Sequence, residues 1–216
     1  MFSLIILFYS CNFNSKAKTQ DQQALQVKKT EQQIKEEQEA LRMIQCLQAK
    51  ADTAKQYCID KNFDTNYCML VDMLVHSGKK RFFLWDFNKD TIAYSSLCCH
   101  GYGQGSNETN PVFSNILGSY CTSLGKYKTG ARAYSKWGIN IHYKLHGLET
   151  SNSNAFNRIV VLHSHSYVPD YEIYPNHLPL GYSQGCPVID NYIMAILDEI
   201  LKKTKKPILL WIYNGR

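Results

Sequence analysis

The chain has 216 residues, 44% of them hydrophobic and 19% charged, with a formal net charge of +6. That excess is mild: it suits an anionic wall or membrane surface and is too diffuse to indicate nucleic acid. No stretch approaches the ~18 consecutive apolar residues of a spanning helix.

Met1 to Phe8 form a short apolar run followed by Tyr9, Ser10 and the first cysteine, Cys11. A small residue directly before a cysteine resembles a bacterial lipoprotein cleavage site, which implies export and a lipid on Cys11 that tethers the chain to a membrane. A plain apolar tail is the other reading. Residues 12–64 are dense in Gln, Lys and Glu, and the stretch Asn12 to Lys61 has neither Pro nor Gly. Ile34, Leu41, Ile44 and Cys46 or Leu47 recur at helical spacing within it. This predicts a solvated helical spacer with one narrow apolar stripe, or a short coiled coil. The expected organisation is a signal-like segment at 1–11, the spacer at 12–64 and a folded domain at 65–216, long enough for one core.

In that domain, 79–97 (KKRFFLWDFNKDTIAYSSL) reads as a hairpin turning at Asn88, Lys89 and Asp90. The stretch 101–110 (GYGQGSNETN) is a loop, and 137–148 and 158–168 are strands. Residues 190–203 place Ile193, Ile196, Leu197, Ile200 and Leu201 on one helical face, and PILLWIY at 207–213 is a closing strand buried on both faces. The expected fold class is α+β, mostly β. Eight cysteines are many for a cytosolic chain. Disulfides among Cys46, Cys58, Cys68, Cys98, Cys99 and Cys121 are permitted in an oxidising envelope, but spacing does not reveal pairings, and burial as small apolar residues is equally open.

The chemistry concentrates at GYSQGCPV, residues 181–188. Gly185 allows a backbone barred to other residues and leaves neighbouring N–H groups open. Pro187 is compatible with a first helical turn, and a helix starting there would favour the Cys186 thiolate. Cys186 therefore reads as a nucleophile in need of a base. The run Arg158 to Val168, RIVVLHSHSYV, offers His163 at the end of an apolar strand. His163 and His165, two apart, with Cys186 also make a three-ligand zinc reading, set against His165 lining a polar groove. His142 and His146 lie in an alternating strand and read as structural or surface residues.

Both segments resemble the L,D-transpeptidase (YkuD-type) catalytic domain. Ser183, Gly185 and Cys186 match its Ser-x-Gly-Cys motif, Pro187 resembles the murein L,D-transpeptidase-like branch, and Arg158 with His163 match that branch's strand. Further matches run in order: His100-Gly101 with Gly103 and Gly105; Phe113 to Asn115; Gly118-Ser119; Ser123 to Gly125; Leu145 to Glu149; and Asn152, Ala155 and Arg158. The resemblance spans roughly residues 65 to 213. It implies a β-rich fold without cofactor or metal, and an acyl transfer in which a Cys186 thioester forms on a peptidoglycan stem peptide and D-alanine leaves. Within it His163 is the base and the Ser164 carbonyl orients the ring, where the family commonly has Gly. Ser183 and Gly185 contribute to orientation and the oxyanion site, and Tyr182, Gln184, His165 and Arg158 border the substrate. The same site would act as an L,D-carboxypeptidase if water were the acceptor. A zinc-dependent peptidase and a non-catalytic wall-binding lipoprotein are the alternatives from other classes. The implied address is the periplasmic side of the cell envelope; no nucleic-acid partner is expected, and the sequence leaves the oligomeric state open.

Overall fold

The computed structural model describes residues 31–215, so the apolar start, Cys11 and the spacer up to residue 30 lie outside the described residues. The first element is a helix, α1 (Glu31–Asp60). It ends as Asn62 takes a left-handed conformation (φ 59°) and the Phe63 N–H donates back to the Cys58 carbonyl, a C-terminal cap that satisfies an orphan carbonyl. The expected stripe is only half right. Ile34, Leu41 and Ile44 are exposed, whereas Leu47, Ala51, Ala54 and Cys58 are buried at spacings of four, three and four. They pack with Cys68, Leu70, Phe83 and Trp85. A compact unit runs from Ile44 to Arg216 and takes in the second half of α1, which covers a sheet face.

The strands are β1 (Tyr67–Asp72), β2 (Phe82–Asp86), β3 (Thr91–Ser96), β4 (Gly125–Tyr134), β5 (Ile141–Gly147), β6 (Val161–Ser164), β7 (Val188–Ile189) and β8 (Leu209–Tyr213), with a second helix, α2 (Asn191–Leu201), between the last two. They form one sheet in the order β3-β2-β1-β8-β4-β5-β6-β7. The β1–β8 and β6–β7 pairs are parallel and the others antiparallel. Beyond the end of β3, Cys99 bridges to Val188 of β7, bringing the two sheet edges close to closure. The fold is mostly β with helical cover, as expected.

The strands near the centre carry apolar residues on both faces, and their period of two sorts these into two cores. Met69 and Val71 of β1 join Leu210 and Ile212 of β8 beneath Ile193, Met194, Leu197 and Leu201 of α2. Cys68, Leu70 and Leu209 face α1 instead. Beside β8, β4 carries no apolar run that marks a strand in the sequence. Its alternation is Lys126 and Lys128 outward with Tyr127 buried, and its register shifts between Thr129 and Arg132. β6 is shorter than the expected 158–168, because Ile159 has a positive φ of 57° that no strand accommodates. Among the described residues Cys46, Cys58, Cys68, Cys98, Cys99, Cys121 and Cys186 are all free thiols, five of them buried and Cys46 exposed.

Candidate active site

The cysteine turn is stitched by Ser183. Its hydroxyl accepts the Gly185 N–H (3.0 Å) and donates to the Cys186 carbonyl (2.6 Å). The Gly185 N–H is therefore engaged inside the turn, and Ser183 acts as a staple. Gly185 sits at φ 105°, and a Cβ there would lie 2.5 Å from the Cys121 carbonyl oxygen. Gly101, packed from the other side, leaves no more room: its Cβ would meet the Gly185 Cα at 2.9 Å. Gly185→Ala combines left-handed strain with a backbone clash, so we expect about 1–3 kcal/mol lost in chemical denaturation and activity down by about 10²-fold.

The chain leaving Cys186 does not enter a helix. Val188 and Ile189 form β7, in parallel register with His163 and Ser164 of β6. Helix α2 starts only at Asn191, its N-cap Asp190 accepting the Ile193 N–H (2.8 Å) and the Ser96 hydroxyl (2.5 Å). The expected helix-dipole stabilisation of the thiolate is thus corrected: two strand residues and a capping carboxylate intervene. Strand pairing is what brings Cys186, two residues before Val188, alongside the strand of His163.

Sγ of the half-buried Cys186 accepts the Val161 N–H (3.4 Å) and contacts the Ile159 carbonyl (3.8 Å). Burial pushes its pKa up, and the Val161 N–H and the Arg158 charge oppose that only in part. His163 is buried, and its Nδ1 lies 3.0 Å from the Ser164 carbonyl. A carbonyl only accepts, so Nδ1 carries the proton and Nε2 the free lone pair. Burial, with His165 and His142 nearby, holds its pKa below 6.5, the Ser164 bond opposing. His142 is the direct cross-strand neighbour of His163, a proximity that its alternating sequence context did not reveal.

Cys186 borders two cavities. One, of about 250 Å³, contains His163, His165, Trp137, Tyr182 and Gln184. The other, of about 370 Å³, contains Arg158, Ile159, Leu117, Tyr120 and again Gln184. Two other hollows, beside Lys205 and Lys206, contain no cysteine. His165 is held in an aromatic cluster, stacked on Tyr182 (4.7 Å between centroids) with Trp137 and Tyr167 close by, and its Nδ1 accepts the Tyr167 N–H. Among the described residues no group of three or more His, Cys, Asp or Glu side chains is placed to hold a metal ion. Arg158 spends its donors internally, on the carbonyls of Ser114 and Cys121 and the Ser123 hydroxyl. It ties segment 114–123 beneath the cysteine turn, so its observed contacts are supporting ones. Behind that segment, buried His100 takes a hydrogen bond from Arg81 at Nδ1 and donates from Nε2 to Asn107, its pKa driven down to about 4 by burial and the Arg81 charge. His146 stacks on Phe156, away from both cavities. Trp137, Leu117, Tyr120 and Ile159 escaped the sequence reading as site residues, since nothing local separates a lining aromatic or aliphatic side chain from a packed one.

A family model described as the L,D-transpeptidase catalytic domain matches residues 28–213. The chain belongs to the L,D-transpeptidase catalytic domain family. No curated protein matches the sequence. Solved structures similar to this L,D-transpeptidase-family chain include the helical cell shape determining protein Pgp2 from Campylobacter jejuni, with 13% identity over 75% of this chain and 56% of that one, at a TM-score of 0.45. A mutant of the same protein has 12% identity over 71% and 49%, at 0.46. An L,D-transpeptidase from Xylanimonas cellulosilytica has 12% identity over 73% and 68%, at 0.36. The chain thus spans about half the length of the Pgp2 chains it resembles.

Proposed function

We propose that this chain is a cysteine acyl-transferase acting on peptidoglycan stem peptides. The observation that carries the reading is the pairing, at one cavity, of the Cys186 thiol with a His163 whose Nδ1 proton is committed to Ser164, so that Nε2 is the basic nitrogen. Nε2 takes the thiol proton as sulfur attacks the carbonyl of the third stem residue. With the Gly185 N–H engaged by Ser183, the Cys186 N–H is the turn's candidate donor to the oxyanion. Collapse breaks the amide bond, Nε2 returns the proton to the leaving amine of D-alanine, and a Cys186 thioester remains. An acceptor amine then attacks, gives its proton to Nε2 and restores the thiol. Water in its place makes the net reaction L,D-carboxypeptidase hydrolysis. Export to the periplasmic side of the envelope, with a lipid on Cys11, belongs to the same proposal.

Incubation of the protein with tetrapeptide muropeptides, followed by intact-mass and peptide mapping, tests it. The expected result is an adduct on Cys186 equal to the donor less D-alanine, absent in Cys186→Ala. Turnover persisting in Cys186→Ala would overturn the reading.

A further inference from the structure

Five non-glycine residues among those described have positive φ: Asn62, Asp90, Tyr120, Asn140 and Ile159. Asn and Asp tolerate that conformation through their short polar side chains. Tyrosine does so poorly, and a β-branched isoleucine is a true outlier. Both outliers, Tyr120 at 54° and Ile159 at 57°, line the same cavity, the one that Cys186 shares with Leu117. Neither is held there by burial, since Ile159 is 74% and Tyr120 46% exposed. Ile159 belongs to none of the buried clusters, and Tyr120 stacks on the Tyr102 ring (5.4 Å between centroids) outside them. The turn at Ile159 is held by the Ile159 N–H on the Phe156 carbonyl and the Val160 N–H on the Ala155 carbonyl, and strain held in this way clusters at active sites and ligand clamps.

The position of the base says which ligand. Leaving and entering amines both exchange a proton with His163 Nε2, so both approach from the cavity that contains His163. The acyl half of the donor, the part that stays on sulfur, is left with the cavity that lacks the imidazole. We infer that Ile159 and Tyr120, with Leu117, form an apolar grip on the acyl-donor peptide and set donor specificity, the ligand being an aliphatic portion of that peptide next to the scissile carbonyl. The inference rests on the acyl-transfer reading above. The turn at Ile159 also places its own carbonyl and the Val161 N–H around Sγ, so side chain and backbone roles must be separated.

Ile159→Gly separates them, because glycine keeps the left-handed turn and removes only the side chain; Ile159→Asn, also tolerant of that turn, is the second variant. The expected result is a donor KM raised about 10-fold or more, the magnitude of one buried aliphatic side chain. We expect kcat within about twofold, acceptor KM unchanged and thermal stability equal or higher. Donor affinity measured calorimetrically in the Cys186→Ala background should fall by the same factor. Unchanged donor affinity in both variants, with thioester still forming on the parent protein, would overturn the grip and leave the reaction standing. Failure of the Cys186→Ala protein to bind any tetrapeptide donor would overturn both.

Discussion

Cys186→Ala, His163→Ala and the double variant are expected to lose transfer activity to nearly the same extent, about 10⁴-fold or more, because in the proposed acyl transfer the two groups act as one unit and either loss removes the whole covalent route. The direction of both pKa shifts sharpens this. Burial leaves the free Cys186 thiol above its ordinary 9.0 and His163 below 6.5. Both groups are then neutral at pH 7, and the proton moves only as sulfur attacks. Alkylation of the free protein by iodoacetamide should rise with pH to beyond 9, without a plateau near neutrality. The acid limb of turnover should fall below pH 6.5, where His163 gains its proton. A neutral-pH alkylation plateau, the mark of a standing thiolate–imidazolium pair, would contradict this picture. His163→Ala should leave alkylation at high pH intact, which separates a lost base from a lost fold.

The second large effect falls on stability, at Asp198 of α2. Its carboxylate accepts from Arg132 of β4 (2.7 and 3.2 Å) and from the Tyr143 hydroxyl of β5 (2.7 Å), and Lys202 lies 3.5 Å away. Asp198 is buried, which alone would raise its pKa, yet those hydrogen bonds and the Arg132 and Lys202 charges outweigh burial and set it below 3.8. Asp198→Ala removes a charge-assisted bond to a buried tyrosine and orphans its hydroxyl. Arg132 is half exposed and regains water, so its share is small. We expect a loss of about 2–4 kcal/mol in urea unfolding at pH 7. A depressed carboxylate contributes stability above its unfolded value and loses it as pH falls through the folded one. The wild-type advantage over Asp198→Asn should therefore be constant above about pH 4 and decline below 3.8. An advantage that persists unchanged at pH 2 would show that packing, not charge, holds α2.

Much of the fold was legible because its signals are local. The hairpin at 82–96 turns where Asn88, Lys89 and Asp90 stand, the β8 run is apolar on both faces, and α2 keeps its isoleucines and leucines on one stripe. β4 was not legible, since its outward lysines dilute the apolar signal and Tyr127 packs into a core assembled across the sheet. The packed half of α1 was misread for a related reason: Ala51 and Ala54 are weak hydrophobic signals, and what makes them core is the close approach of the sheet.

The sequence by itself determined the family and the glycine the turn requires, and it nominated Cys186 and His163 as nucleophile and base, because these depend on residue type and short spacing. It did not determine how the thiol is tuned. The helix expected behind Cys186 is a strand paired to that of His163, and the thiol is desolvated instead of stabilised. Only tertiary structure decided that Ser183 consumes the Gly185 N–H, that Ser164 locks the imidazole tautomer, and that Ile159 and Tyr120 meet at one cavity. Each of these is a meeting of chain segments or a burial of charge, and both arise from the packing of the whole sheet.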